Sequence, residues 1–258
     1  MENRVLWTGG WDSTFLLLQM ARENGKGSIR PVYVAGDNRK SEENELQTMK
    51  LLLPKIRTAA GEGTQVEDLL IVDKADIPGN PEITAAYETI RKTVRIGTQY
   101  EWLARLAMQY PGLAIGIEKP NGEYSGCIAA IESTGAFREE EGCLVIDREE
   151  SSKECCLLFG NFCFPLAEVT ETDMIRLVKE WHQEELMKGV WFCHKPINGS
   201  PCGYCRPCQQ KMECEMQWLV PEEAQKRYHQ YRRLVRLFGE QNSMKMMNKR
   251  CRKPAHIQ

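Results

Sequence analysis

The stretch 4–19, RVLWTGGWDSTFLLLQ, limits the fold more than any other part of the chain. Val5-Leu6-Trp7 is a short apolar run of the kind that makes a buried strand. It breaks at Thr8-Gly9-Gly10, and a helical pattern starts at Asp12-Ser13-Thr14 and runs through Phe15, Leu16, Leu17, Leu18 and Met20 to a stop at Asn24-Gly25. Adjacent glycines turn the backbone sharply and let it approach a bound group without Cβ interference. Asp12 or Ser13 is the expected N-cap, and the unbonded N–H groups of a first helical turn suit an anion. Strand, glycine turn and hydroxyl-rich helix start make a phosphate cradle; the plain alternative is a tight turn that binds nothing.

The rest of the chain repeats this alternation. Strands are expected over 30–35, 69–73 and 113–117, and helices over 42–60, 81–91 and 97–110, with Pro54 kinking or dividing the first of these helices. Near-continuous apolar strands separated by helices imply βαβ units, hence an α/β fold: a parallel sheet with helices on both faces. Ligands in such sheets bind at the carboxyl ends of the strands, where 8–14 and 36–41 would both lie, so Asp37, Arg39 and Lys40 become candidates for nucleotide or substrate contact. Solvated loop charges are the alternative for each. From 122 to 154 the pattern is lost, and an irregular insertion or mobile loop near 120–165 is expected over the site. A capped helix follows from about 168 to 182. The resulting division is an α/β domain over 1–185 and a small C-terminal helical lobe over 186–258.

Composition sets the class. At 258 residues, 42% hydrophobic and 27% charged, the chain reads as globular with a sizeable core. No apolar run approaches the ~18 residues that span a bilayer, and the start, MENRVLW, lacks a secretory layout. A cytoplasmic protein without membrane contact is the expectation. The net charge of −2 gives no overall bias toward nucleic acid, but ten Lys/Arg against three Glu follow residue 221, including Lys245, Lys249, Arg250, Arg252 and Lys253.

Eleven cysteines in a chain without an export layout point to metal or redox chemistry. Cys193, Cys202, Cys205 and Cys208 stand in C-x8-C-G-Y-C-R-P-C, a spacing suited to one tetrahedral four-thiolate site. Zn²⁺ is the expected ion and an iron–sulfur cluster the alternative. The site is closed by its four ligands and should be structural; His194 is a substitute ligand that an all-thiolate set does not need. Most of the other seven cysteines read as small buried apolar side chains, with Cys155-Cys156 as a persulfide-carrying pair the alternative.

The Walker lysine and the third glycine of a dinucleotide fingerprint are both absent. T-G-G-W-D-S-T at 8–14 instead resembles the S-G-G-x-D-S loop of the PP-loop ATP pyrophosphatase superfamily, with Thr8 keeping the hydroxyl of the first serine. Taken with the cysteine motif, the chain is similar to the 7-cyano-7-deazaguanine synthase family. That resemblance implies a PP-loop fold with a C-terminal zinc lobe, ATP and Mg²⁺ as cosubstrates, adenylation of 7-carboxy-7-deazaguanine, and condensation with ammonia to an amide and then a nitrile. It assigns ATP contact to Trp7, Thr8, Gly9, Gly10, Trp11, Asp12, Ser13, Thr14 and Phe15, with Asp12 and Ser13 catalytic. Between the motifs the chain departs from the family. Val94-Arg95-Ile96-Gly97-Thr98 stands where a G-R-N-like stretch is expected, Glu123-Tyr124-Ser125-Gly126-Cys127 keeps only part of D-Y-S-G-Y-P-D-C-R, and Gly36-Asp37-Asn38-Arg39-Lys40 replaces Y-G-Q-R-H. Substrate contact is accordingly assigned to Asp37, Arg39, Lys40, Arg95 and Glu123.

Adenylation is therefore better marked than the identity of the acid or the amine. A deazapurine acid and an amine donor are the expected partners; a protein amine, as in an anti-phage variant, is one alternative acceptor. A tRNA-modifying, thiolating enzyme that uses the basic tail is a second reading, and a nucleotide-binding relative without turnover is a third. Ala224, Tyr228, Tyr231, Val235 and Phe238 recur at heptad-like spacing, either packing on the lobe or forming a homodimer seam.

Overall fold

A computed structural model describes residues 2–23, 25, 27–119 and 126–251. The first unit is β1 (Asn3–Leu6), α1 (Trp11–Arg22) and β2 (Gly27–Ala35), followed by α2 (Glu42–Thr58), β3 (Thr64–Val66) and β4 (Leu70–Asp73). Next come α3 (Pro81–Ile90), α4 (Gln99–Gln109) and β5 (Leu113–Ala114), then α5 (Gly126–Thr134), β6 (Phe137–Glu140), β7 (Cys143–Ile146), α6 (Lys153–Phe159) and β8 (Phe162–Cys163). The remaining helices are α7 (Glu171–Glu180), α8 (Glu184–Met187), α9 (Arg206–Glu213) and α10 (Glu222–Cys251), the last broken at Gly239.

The main sheet is wholly parallel, in the order β3-β2-β1-β5-β8, with β4 also pairing β2. Pro31 sits inside β2 although β2 has neighbours on both sides. β3 pairs with Gly27, Ser28 and Ile29, and β4 with residues from Val32 on, so the proline, which has no N–H to give, falls in the gap between them. Alternate side chains of β2 enter different cores: Ile29 and Tyr33 pack with α1 and α2, whereas Val32 and Val34 pack with α3, α4, α5 and α6. Both faces are therefore covered by helices, as the sequence pattern requires.

Several local expectations change. Helix α1 begins one residue early, with Gly10 as an N-cap that has no side-chain bond, so Asp12 lies in the first turn instead of capping it. It ends at Arg22 with Glu23 as cap; Asn24 lies outside the described residues. Pro54 does not divide α2, which runs through it. The described part of 120–165 is ordered: α5 buries Cys127 through Ile131 in succession, and β6 and β7 form an antiparallel hairpin. Phe159 and Phe164 are fully or almost fully buried there, so this region is core and not a loose cover. Cys127 and Cys155 are buried thiols as expected, but Cys143 and Cys163 form a disulfide that ties β7 to β8. The capped start of α7 holds in full: Thr170 and Asp173 form a reciprocal capping box.

The cysteine segment is built into the first core, beside Trp7, Trp11 and Phe15. Ala224, Tyr228 and Tyr231 of α10 pack there, Val235 is half-buried against it, and Phe238 is exposed. Gly239 adopts φ +72°, which turns the second half of α10 back so that Ser243 and Met247 are buried. Among the described residues no helix is long and apolar enough to cross a membrane.

Candidate functional site

The order of the sheet reverses between β1 and β5, and ligands of open parallel sheets bind at such a crevice, outside the carboxyl ends of the strands. A cavity of about 440 Å³ lies there. Thr8, Gly10, Asp12 and Ser13 form one wall, and Leu6, Val34, Trp102, Leu103, Ile115 and Ile117 give it an apolar slot. Gly9 takes φ +69°, and a Cβ there would stand 3.1 Å from Thr48 Cγ2 and 3.2 Å from Met49 Cγ. Its carbonyl accepts from the Trp191 N–H at 2.8 Å, so the turn is fastened to the segment leading into the cysteines. The Thr8 N–H donates to Ser13 Oγ at 3.2 Å, and the two hydroxyl oxygens lie 3.1 Å apart. Helix geometry leaves the first-turn N–H groups without intrahelical acceptors, so this wall offers donors and hydroxyls to an anion.

The nine residues of 7–15 divide by the face they take. Trp7 is fully buried and its indole N–H donates to Thr14 Oγ1 at 2.9 Å. Phe15 stacks on Trp181 with ring centroids 5.3 Å apart. Trp7, Thr14 and Phe15 thus hold the turn from behind, with side chains turned away from the cavity. Asp37 and Arg39 line the cavity but are engaged: Asp37 pairs with Lys74, and Arg39 donates to Tyr33 Oη and the Val34 carbonyl and pairs with Glu45. Lys40 and Arg95 are exposed and do not line it; the Arg95 carbonyl accepts from the Gly126 N–H. Glu123 lies outside the described residues, as do Tyr124, Ser125, Arg252 and Lys253. Cys155 and Cys156 sit on α6, away from this wall.

Behind the turn is a second chamber of about 270 Å³ that shares Thr8, Gly10, Asp12, Glu45 and His194 with the first. Four carboxylates, Asp12, Glu45, Glu118 and Glu171, face it with Lys211; Glu45 is paired with Arg39. Lys211 and Glu171 form an ion pair with side chains 7% and 5% exposed, and the ammonium also lies over the Trp11 ring. Burial pushes the Asp12 carboxyl up to about 6, a rise that Lys211 opposes and Glu171 increases. Burial, then the charges of Asp12 and Glu171, push Glu118 up to about 8. Glu118, Glu171, Lys211 and His194 come to the turn from four places in the chain. Sequence spacing shows none of this, since the four residues are far apart along the chain.

Cys193, Cys202, Cys205 and Cys208 are buried, and their sulfurs lie within 4.8 Å of one another. The separations Cys202–Cys208, Cys205–Cys193 and Cys205–Cys208 are 3.9, 3.9 and 3.4 Å. Backbone N–H groups of Cys202 and Cys205 donate to Cys193 Sγ and Cys202 Sγ at 3.1 and 3.2 Å, which supports thiolate charge on those sulfurs. His194 is exposed and stands outside this group.

Fold and site together define an α/β chain with an anion-accepting turn at the switch point of its sheet and a four-cysteine metal-type group packed behind that turn. No protein-family model matches the chain. No curated protein matches it in sequence. Among solved structures it is similar to the U34-tRNA thiolase NcsA from Methanococcus maripaludis, determined with its [4Fe-4S] cluster. The identity is 14% and the TM-score 0.34, over 92% of this chain and 72% of that one.

Proposed function

We propose that this chain is an ATP-dependent ligase of the PP-loop type that adenylates a carboxylate and passes the acyl group to an amine. The observation that carries the reading is the turn itself: Gly9, Gly10 and the start of α1 form a donor-rich wall at the mouth of the switch-point cavity. The apolar slot between Trp102, Val34 and Ile115 suits a purine ring, and Thr8, Ser13 and the first-turn N–H groups suit the phosphates. In the reaction a carboxylate oxygen attacks the α-phosphorus, the bond to the bridging oxygen breaks, and pyrophosphate leaves with its charge spread over those donors. The Thr8–Ser13 hydroxyl pair holds the turn in the shape the leaving group needs. Mg²⁺, which Asp12 is positioned to hold, would supply charge neutralisation at the polyphosphate. No side chain has to act as a nucleophile.

The acid we propose is 7-carboxy-7-deazaguanine, on the combined strength of the loop and the cysteine motif. The test is exchange of labelled pyrophosphate into ATP, stimulated by that acid, with mass spectrometry of the product formed once an amine is added. An amide or nitrile of the deazaguanine is expected; no exchange with any deazapurine acid would overturn the assignment.

For the four cysteines we propose zinc. A tetrahedron with arms of about 2.3 Å has sulfur–sulfur edges of about 3.8 Å, which the three separations of 3.4–3.9 Å approach. A four-iron cluster binds each cysteine through a different iron and would spread the sulfurs further. Zinc there holds the lobe together and takes no part in the chemistry. Metal analysis should find one zinc per chain and no visible iron–sulfur absorption.

A further inference from the structure

Next to the chamber behind the turn lies a larger cleft of about 1000 Å³. One wall of that cleft is α9; the others are the two halves of α10, brought together by the reversal at Gly239. Chamber and cleft share Glu118, Glu171 and Gln210, which form a neck between them. These side chains are all that the two linings share, so Glu118 faces both the cleft of the C-terminal lobe and the chamber that reaches Thr8, Gly10 and Asp12.

The neck is charged in one sense. With Glu45 held by Arg39, the chamber's Asp12 and the neck's Glu118 and Glu171 stand against Lys211, which is already committed to Glu171. Two polar atoms in the chamber wall have no partner among the described residues. One is the indole N–H of Trp11, a residue only 3% exposed; the other is the buried Oε2 of Glu118. Orphaned donors and acceptors are rare in protein interiors, and a pair of them lining one chamber marks a place for a ligand that donates to one and accepts from the other. A small cation with N–H donors and a water or carbonyl beside it meets both needs. The residues are unsuited to closing around a metal ion, because the carboxylates do not draw together as the cysteines do.

We propose that the cleft between α9 and the two halves of α10 admits the nucleophile of the ligase reaction, a primary amine arriving as its ammonium ion, and that Glu118 at the neck accepts its proton. The inference rests on the adenylation reading. Glu118 takes one proton from the ammonium nitrogen. The free amine then attacks the acyl carbon; the C–N bond forms, the bond from that carbon to the phosphate oxygen breaks, and the second nitrogen proton goes to the departing phosphate. Products are the amide and AMP, with Glu118 protonated and open to solvent through the cleft. A carboxyl held near 8 by burial and by Asp12 and Glu171 is matched to such a transfer near neutral pH. The other charges around it are Lys211 and the Arg39-paired Glu45 in the chamber, and Arg206, Glu213, Arg232, Glu240 and Lys245 along the cleft.

The test is calorimetric titration of n-butylammonium chloride into the full chain, with potassium chloride as the ionic control. At about pH 9, where Glu118 is ionised and the alkylammonium is still charged, the wild type should show saturable one-site binding, and Glu118→Gln should weaken it about tenfold or more, the size of one charge-assisted hydrogen bond. Gln241→Trp, on the exposed rim of the cleft, should weaken it without touching the neck. No saturable binding, or equal affinity in the wild type and both variants, overturns the proposal. Pyrophosphate exchange by the wild type reads adenylation separately. Exchange without an ammonium site overturns the cleft; an ammonium site that responds to both variants without exchange upholds the cleft and overturns the adenylation reading.

Discussion

Asp12 has two demands on it. In the proposed reaction its carboxylate serves as a charge beside the phosphates, yet it is buried next to Glu171 and its carboxyl is raised to about 6. A raised acid binds its proton more tightly in the folded state than in the unfolded one. Its contribution to stability is therefore complete below about pH 4 and is lost as pH rises through about 6. Glu118, raised to about 8, extends the loss upward. The ligand-free protein should melt at a lower temperature at pH 8 than at pH 5.5, and Asp12→Asn should remove the part of the pH dependence that falls between about 4 and 6. At pH 8 this variant should gain on the order of 2 kcal/mol of stability while losing pyrophosphate exchange about 100-fold or more. Thermal melts across pH and the exchange assay check the two halves. A stabilised variant that still exchanges would remove Asp12 from the site. Arg39 makes the opposite case. It lines the cavity, but it holds Glu45 in a network with Tyr33 and Ser41, whose hydroxyls donate to the same carboxylate at 2.8 and 2.7 Å. Arg39→Ala should cost about 2–4 kcal/mol in a urea melt by leaving that carboxylate without its cation, and Lys40→Ala, one residue on and exposed, should cost almost nothing.

At the scale of elements, the β1–α1 unit carries its information locally and the 126–163 region does not. Gly9 needs φ +69° and leaves no room for a Cβ against Thr48 and Met49, so Gly9→Ala should destabilise by about 1–2 kcal/mol and abolish nucleotide binding. Equilibrium dialysis with labelled ATP beside a denaturant melt would separate the two effects; retained ATP affinity would show that the turn is not the cradle. That glycine pair, the apolar run before it and the helix after it could be read from consecutive residues, as could the cysteine spacing. Helix α5 could not: Cys127 through Ile131 are buried in succession within the second core, so the apolar pattern shows no helical period. Strand β3 is three residues long, too short to show a period, and is fixed by its pairing with Gly27, Ser28 and Ile29 at the start of β2. The disulfide and the Glu118–Glu171–Lys211 group are assembled from distant segments, and spacing along the chain does not encode them. Trp7 and Phe15 were legible as part of the loop, but their direction into the core was not, since that depends on Thr14 and Trp181.

Across the whole molecule, the metal-type group and the turn are one mechanical unit. The cysteines share a core with Trp7, Trp11 and Phe15, and the Trp191 N–H, two residues before Cys193, is bonded to the Gly9 carbonyl. Structural zinc contributes about 10–16 kcal/mol in small zinc-binding peptides, against about 5–15 kcal/mol for the net stability of a typical domain. A chain that keeps its cysteine lobe in the main core cannot lose such a contribution in one place only. Stripping the proposed zinc with a chelator, or substituting Cys205→Ser, should therefore lower the melting temperature by about 10 °C or more and release the amide hydrogens of 9–15 to fast exchange together with those of 202–208. ATP binding should disappear in the same titration, although no cysteine touches the cavity wall formed by Thr8 and Ser13. Hydrogen exchange followed by mass spectrometry distinguishes this from an independent lobe. If 202–208 opens while 9–15 stays protected and ATP still binds, the bond from Trp191 to Gly9 transmits nothing and the cysteine group serves only its own helices.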